Sequence, residues 1–244
     1  MRFVLGQEQL GFFFRNGYLG LELPMKEIDC ITLSSSLRNM VELRLPKVTE
    51  NASSLQILFG GRDMWRDSIL LQKIIQKGPI AKIATSLWWS EGGVRLLYDQ
   101  LISFSYTPQS MSHNPFFQSL QEGYFDLSRY SSFSDILGGV ALCLESNVDE
   151  ISEETPPITV PFSCLLSHKV AGATCISRSC RIKFPCVKQG QSLIWYLVVF
   201  GKEKSRYIFN ERDPHTNRPK RLGYFFNDFL TSDRNPFVDL PSPF

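Results

Sequence analysis

Residues 54–79, SLQILFGGRDMWRDSILLQKIIQKGP, narrow most sharply what this chain can become. Leu55, Ile57 and Phe59 alternate with Gln56 and Leu58, which gives one strongly apolar face at a two-residue period. Gly60-Gly61 breaks that run, because glycine reaches backbone angles other residues avoid. Beyond it, Met64, Leu71 and Ile75, with Leu70 and Ile74 beside them, mark a helical apolar side. Asp63 stands where a helix N-terminus favours negative charge, and Lys73 and Lys77 where its C-terminus favours positive charge. Gly78-Pro79 reads as a stop. The stretch predicts a strand, a glycine break and one helix over residues 62–77. A helix of about 14 residues is not stable alone in water, so it must close over something.

The preceding residues supply candidates for that partner. Apolar groups at 3–5 and 12–14 read as strand, and Asn16-Gly17 suits a tight hairpin turn. Residues 18–23 resume with Leu19, Leu21 and Leu23 on one face. Residues 28–33 and 41–45 add two strands, the second with Val41, Leu43 and Leu45 alternating with Glu42 and Arg44. Residues 1–79 thus read as an antiparallel sheet closed by a C-terminal helix. That order resembles the pattern of pleckstrin-homology and GRAM-type domains, over less than a third of the chain.

Residues 80–231 read as a second, larger antiparallel β domain. Strands are expected at 83–89, 94–97, 101–106 and 140–144. Cys180, Ile182, Phe184 and Cys186 alternate with Ser179, Arg181, Lys183 and Pro185, a period of two. Residues 193–200 are an unbroken apolar run, the mark of a central strand buried on both faces. Residues 145–157 carry five acids and no base before Pro156-Pro157, and read as an exposed acidic linker. Residues 232–244 read as a tail. The expected class is mainly β (α+β), with two packed antiparallel sub-domains.

The net charge of the 244 residues is only +2, which announces no nucleic-acid or membrane partner. No run approaches the roughly 18 apolar residues of a membrane helix, and the first ten residues lack a signal-peptide core. Six cysteines in a chain this long point to a reduced, intracellular protein, cytoplasmic or nuclear.

Cys164, His168, Cys175 and Cys180, followed by Cys186, form the one cluster with metal-ligand chemistry. It lacks the paired short spacings of zinc sites, so no metal and no cofactor are expected. Lys202, Lys204, Arg206, Arg212, Arg218, Lys220 and Arg221 fall in one loop with Tyr207, Phe209 and Tyr224 within or beside it. Bases contact phosphates and aromatics stack on nucleobases, which makes residues 202–221 the nucleic-acid candidate. A charged, soluble hairpin edge explains the same residues. Phe116, Phe117, Tyr124 and Phe125 in the long stretch 107–134, and Phe237 in the tail, are candidate protein-binding anchors.

Asn-Pro-Phe occurs at 114–116 and 235–237 and resembles the ligand of EH domains, although Asn-Pro also simply starts turns. G-x-S-x-G, P-loop, G-x-G-x-x-G and H-E-x-x-H motifs are absent. The three histidines are His113, His168 and His215, and Asp213-Pro214-His215 has no spaced partner. The expected function is a non-catalytic intracellular interaction or adaptor protein. It would be a subunit of a larger assembly, cellular or of viral accessory or matrix-like kind. The alternatives are a nucleic-acid-binding protein using residues 202–221 and a hydrolase with a non-local site.

Overall fold

Cys30, Leu33, Ser34, Leu37 and Val41 recur every three or four residues, and all five are buried along one side of helix α2 (Glu27–Arg44). That spacing is the helical period, and it overrides the short two-residue alternation at 41–45. Leu43, counted inward by the alternation, is 83% exposed. The computed structural model describes residues 5–23, 25–45, 54–88, 93–105, 125–148, 162–183 and 190–238.

Helices occupy most of the region expected to be strand. Helix α1 (Gln7–Asn16) ends where Gly17, at φ 78°, donates its N–H to the Phe13 carbonyl. Asn16-Gly17 is therefore a helix C-cap, not a hairpin turn. Residues 54–60 form helix α3 (Ser54–Gly60) instead of a strand. The helix foreseen over 62–77 is split. A 3-10 turn (Met64–Asp67) is followed by α4 (Ile69–Gln76), whose N-cap Ser68 accepts the Leu71 N–H on its hydroxyl. Pro79 starts α5 (Pro79–Trp88), since a proline in the first turn has no N–H to lose.

The strands are β1 (Tyr18–Glu22), β2 (Arg95–Ser105), β3 (Phe125–Asp126), β4 (Ile136–Ser146), β5 (Ser163–Leu165), β6 (Gly172–Ser177), β7 (Arg181–Lys183) and β8 (Ser192–Gly201). A four-residue helix, α6 (Arg218–Arg221), follows. The larger sheet has the order β1-β6-β4-β8-β2 and is antiparallel throughout. The smaller has the order β3-β7-β5, with β5 and β7 parallel. The whole is mixed α/β. The pleckstrin-homology-like sheet is thus corrected: the one strand described before residue 79, β1, is the edge of the larger sheet, paired with β6.

The unbroken apolar run is β8, held between β4 and β2. Ile194, Tyr196, Val198 and Phe200 join the core under the helices, while Leu193, Trp195, Leu197 and Val199 join the core under the small sheet. A strand with no solvent face has no reason to alternate apolar with polar residues. Gly138 lets the helical layer come close, because a Cβ there would lie 2.5 Å from the Trp88 ring and 2.2 Å from the Ile176 carbonyl. The described part of the expected tail, residues 232–238, is also bound. Val238 donates to the Val94 carbonyl, Leu96 donates to the Pro236 carbonyl, and Asn235 is fully buried. No helix among the described residues is long and apolar enough to cross a membrane.

Candidate functional site

Gly60-Gly61 turns the end of α3 onto β2. A Cβ on Gly61 would meet the Ile57 carbonyl at 2.6 Å and the Leu101 Cβ at 2.7 Å, so only glycine permits this approach. Leu101 then donates to the Gly61 carbonyl, and Arg62 forms a bridge with Gln100. This places the Arg62 guanidinium 3.2 Å from the centre of the Tyr98 ring, where the ring quadrupole attracts a cation.

A loop from the far end of the chain completes the cluster. Asp213 accepts the Ser132 N–H at 2.8 Å and the His215 N–H at 2.9 Å, and its Oδ2 lies 3.6 Å from Arg62 Nη2. Arg62, Gln100, Asp213 and His215 are each more than nine-tenths buried. Together with Tyr98, Phe125 and Tyr130 they line a cleft between the sheets. Its free space is about 10 Å³, room for one water.

Gln100 donates through Nε2 to the Leu58 and Leu101 carbonyls, which leaves Oε1 without a partner. His215 Nε2 is also unpartnered. Burial, then the charges of Arg62 and Arg218, push the imidazole pKa well below its ordinary value, against a hydrogen bond to the Leu58 backbone. The depressed pKa keeps the imidazole neutral, and its Nε2 stands without a partner in the cleft.

On the opposite face of β2, the Asp99 carboxylate accepts the N–H groups of Met64 and Trp65 and the Tyr196 hydroxyl. Burial and the nearby Asp63 charge raise its pKa to about 7, against those three bonds.

The residues singled out from sequence have varied places. Phe116, Phe117, Tyr124, His113 and the first Asn-Pro-Phe lie outside the described residues, as do Cys186 and most of the acidic stretch. Phe125 is buried and stacked on Tyr130. Phe237 packs under the Arg95 guanidinium at 4.1 Å, and Asn235 of the second Asn-Pro-Phe donates to the Leu96 and Leu97 carbonyls, so that tripeptide clamps β2. Of the basic loop, Arg206 covers Phe229, Lys220 covers Phe226 and Arg218 pairs with Asp63, while Lys204, Arg212 and Arg221 are exposed. Lys202 donates its N–H to the Asp135 carbonyl.

Cys164 and Cys180 lie against each other in the core under the small sheet, whereas Cys175 faces the helical core across the larger sheet. His168 sits in the turn between β5 and β6. No group of three His, Cys, Asp or Glu among the described residues could hold a metal ion. Sequence reading passed over Arg62 and Gln100 altogether. Their only signal was the double glycine that brings them to the loop of His215.

No family model and no curated protein matches the chain. Solved structures do. The non-heme α-ketoglutarate-dependent carbocyclase SnoK from nogalamycin biosynthesis aligns with TM-score 0.65 and 12% identity, over 96% of this chain and 97% of its own. The non-heme α-ketoglutarate-dependent epimerase SnoN from the same biosynthesis aligns with TM-score 0.62 and 11% identity, over 96% and 98%. CytC3 with Fe(II) and α-ketoglutarate aligns with TM-score 0.55 and 9% identity, over 85% and 81%. What this chain shares with them is the fold, which in these neighbours is jelly-roll-like. These neighbours are enzymes, a finding that contradicts the expected non-catalytic adaptor, viral accessory or assembly subunit. The likeness in fold extends over nearly the whole length of the chain.

Proposed function

We propose that this chain is an enzyme that binds a small organic acid in the cleft between its two sheets. The observation that carries this reading is the pair of unpartnered buried atoms, Gln100 Oε1 and His215 Nε2, lining one cleft with Arg62. Buried polar side chains are ordinarily satisfied, and leaving one unsatisfied costs about 1–3 kcal/mol. Two in one cleft, beside a guanidinium, suit a ligand that completes them. The resemblance to enzymes along nearly the full chain supports the same reading.

The neighbours' iron does not fit the described residues. Non-heme iron of that type is held by two histidines and one carboxylate with open positions. Here His215 stands beside two guanidiniums, which repel a cation, and no described trio of ligands exists. The chain's own groups define another chemistry. Arg62 pairs with the carboxylate of the acid, and Gln100 Oε1 accepts a hydrogen from a hydroxyl or amide. His215 Nε2 accepts a proton, and the incoming negative charge restores the basicity that Arg62 and Arg218 suppress. Binding an acid requires the cleft to widen, because its free space of about 10 Å³ holds only a water.

Ligand-observed NMR with pyruvate, succinate and 2-oxoglutarate, each with Fe(II) and with EDTA, tests this. At least one acid is expected to bind in EDTA. His215→Phe keeps a flat ring beside Phe59 and removes the unpartnered nitrogen, so it is expected to hold its Tm and bind at least tenfold more weakly. Absence of binding under both conditions, or equal binding by H215F, would overturn the reading.

A further inference from the structure

Four guanidiniums, those of Arg44, Arg66, Arg218 and Arg221, line a second cleft of about 390 Å³ on the other side of Asp63. Asp63 and Asp67 are the carboxylates of that lining, and both are already committed. Asp67 pairs with Arg44, and Asp63 accepts from Arg218 Nε at 3.0 Å. Arg44 is fully used in holding the chain, donating also to the carbonyls of Gly60, Arg62 and Asp63. Among the described residues, two positive charges of this lining remain without a counter-charge, those of Arg66 and Arg221.

Arg66 is held in place by its neighbours. Its Nη1 donates to the Arg234 carbonyl, its guanidinium lies over the Trp65 ring at 4.4 Å, and its buried Nε has no partner. Arg221 is exposed on the last residue of α6 and makes no ion pair among the described residues. Crowding is evident at Arg218, which burial and then the charges of Arg44 and Arg62 disfavour and Asp63 favours. Like charges held this close are relieved by a bound anion. The remaining walls are apolar: Leu45, Phe59 and Leu222. The volume falls within the usual range for small-molecule sites, about 300–1,000 Å³.

We propose that this cleft binds a phosphomonoester, with the phosphate held by Arg66 and Arg221 and the organic part against Phe59. A phosphomonoester carries close to two negative charges at neutral pH, which matches the two uncompensated guanidiniums, and arginine forks suit phosphate oxygens. The proposal is independent of the acid-binding cleft.

Calorimetric titration of the full chain with phenyl phosphate and with inorganic phosphate, at fixed ionic strength, is the test. Wild type is expected to bind phenyl phosphate saturably and more tightly than inorganic phosphate. Arg221→Glu, on an exposed side chain, is expected to raise the dissociation constant at least tenfold. Arg212→Glu, an equal charge change outside the cleft, is expected to leave it unchanged. Co-sedimentation with phosphatidic acid vesicles, abolished by R221E, assigns the phosphate to a lipid headgroup. Vesicle binding absent beside phenyl phosphate binding assigns it to a soluble compound. No saturable binding of either kind, or an equal loss in R221E and R212E, overturns the site.

Discussion

The Tyr196 hydroxyl on β8 donates to the Asp99 carboxylate on β2, and both side chains are fully buried beneath the 3-10 turn. Asp99 thereby ties two neighbouring strands to the Met64–Asp67 segment through three hydrogen bonds. With its pKa raised to about 7 in the folded chain and near 3.9 unfolded, the folded state holds the extra proton between those values. Its contribution therefore favours folding as pH falls from 7 towards 4, and is lost as pH rises through 7.

His215 acts in the opposite sense. Its folded pKa is depressed, so the unfolded chain binds the proton first, and stability is lost as pH falls below about 6.5. The two slopes oppose each other in the wild type. Urea melts between pH 4 and 8 are expected to show a steeper acid loss in Asp99→Asn than in wild type. H215F is expected to lose less stability on acidification than wild type. Identical pH profiles in all three proteins would contradict both assignments.

Arg62 and Asp213 form a buried pair whose partners are far apart in sequence. Removing one leaves the other charged and unpaired, so Arg62→Met is expected to cost about 3 kcal/mol. Arg62→Met combined with Asp213→Asn is expected to cost less than the sum of the two single changes. A double-mutant cycle from chemical denaturation measures the difference, and strict additivity would show that the pair is not coupled.

Gly138 sits where the helical layer touches the sheet. Gly138→Ala places a methyl within 2.5 Å of Trp88 and 2.2 Å of the Ile176 carbonyl, and the backbone cannot yield as a side chain would. A loss of about 2 kcal/mol or more is expected from denaturant melts. Gly20 has nothing within 4 Å of its Cβ position, so Gly20→Ala is the control and is expected to be near neutral.

Asn235 anchors the C-terminal segment. It donates to the Leu96 and Leu97 carbonyls and accepts the Tyr224 hydroxyl, all in buried positions. Asn235→Ala leaves those groups without partners and is expected to cost about 2–3 kcal/mol, with earlier proteolysis after residue 230. A surface turn serving only as a docking motif would show neither effect.

The strands that sequence located well are those whose pattern has one reading. Tyr18–Glu22 alternates cleanly between a hairpin-like glycine and a proline, and Ser192–Gly201 is too apolar to be anything but central. Glu27–Arg44 was misread because a short window admits both periods, and only burial of Cys30, Leu37 and Val41 against the sheet selects the helical one. Local propensity alone does not choose between them.

The chain by itself determined its buried strand, its break at Gly60-Gly61 and its lack of a global charge, since each follows from residue type alone or over a few neighbours. Only the tertiary structure decided that Arg62, Gln100, Asp213 and His215 meet. Their convergence depends on β2 lying beside β8 and on the C-terminal segment folding back onto β2, contacts between residues far apart in the sequence. Hydrophobic burial of the larger sheet on both faces drives that arrangement, and no local pattern encodes which polar groups it carries inward.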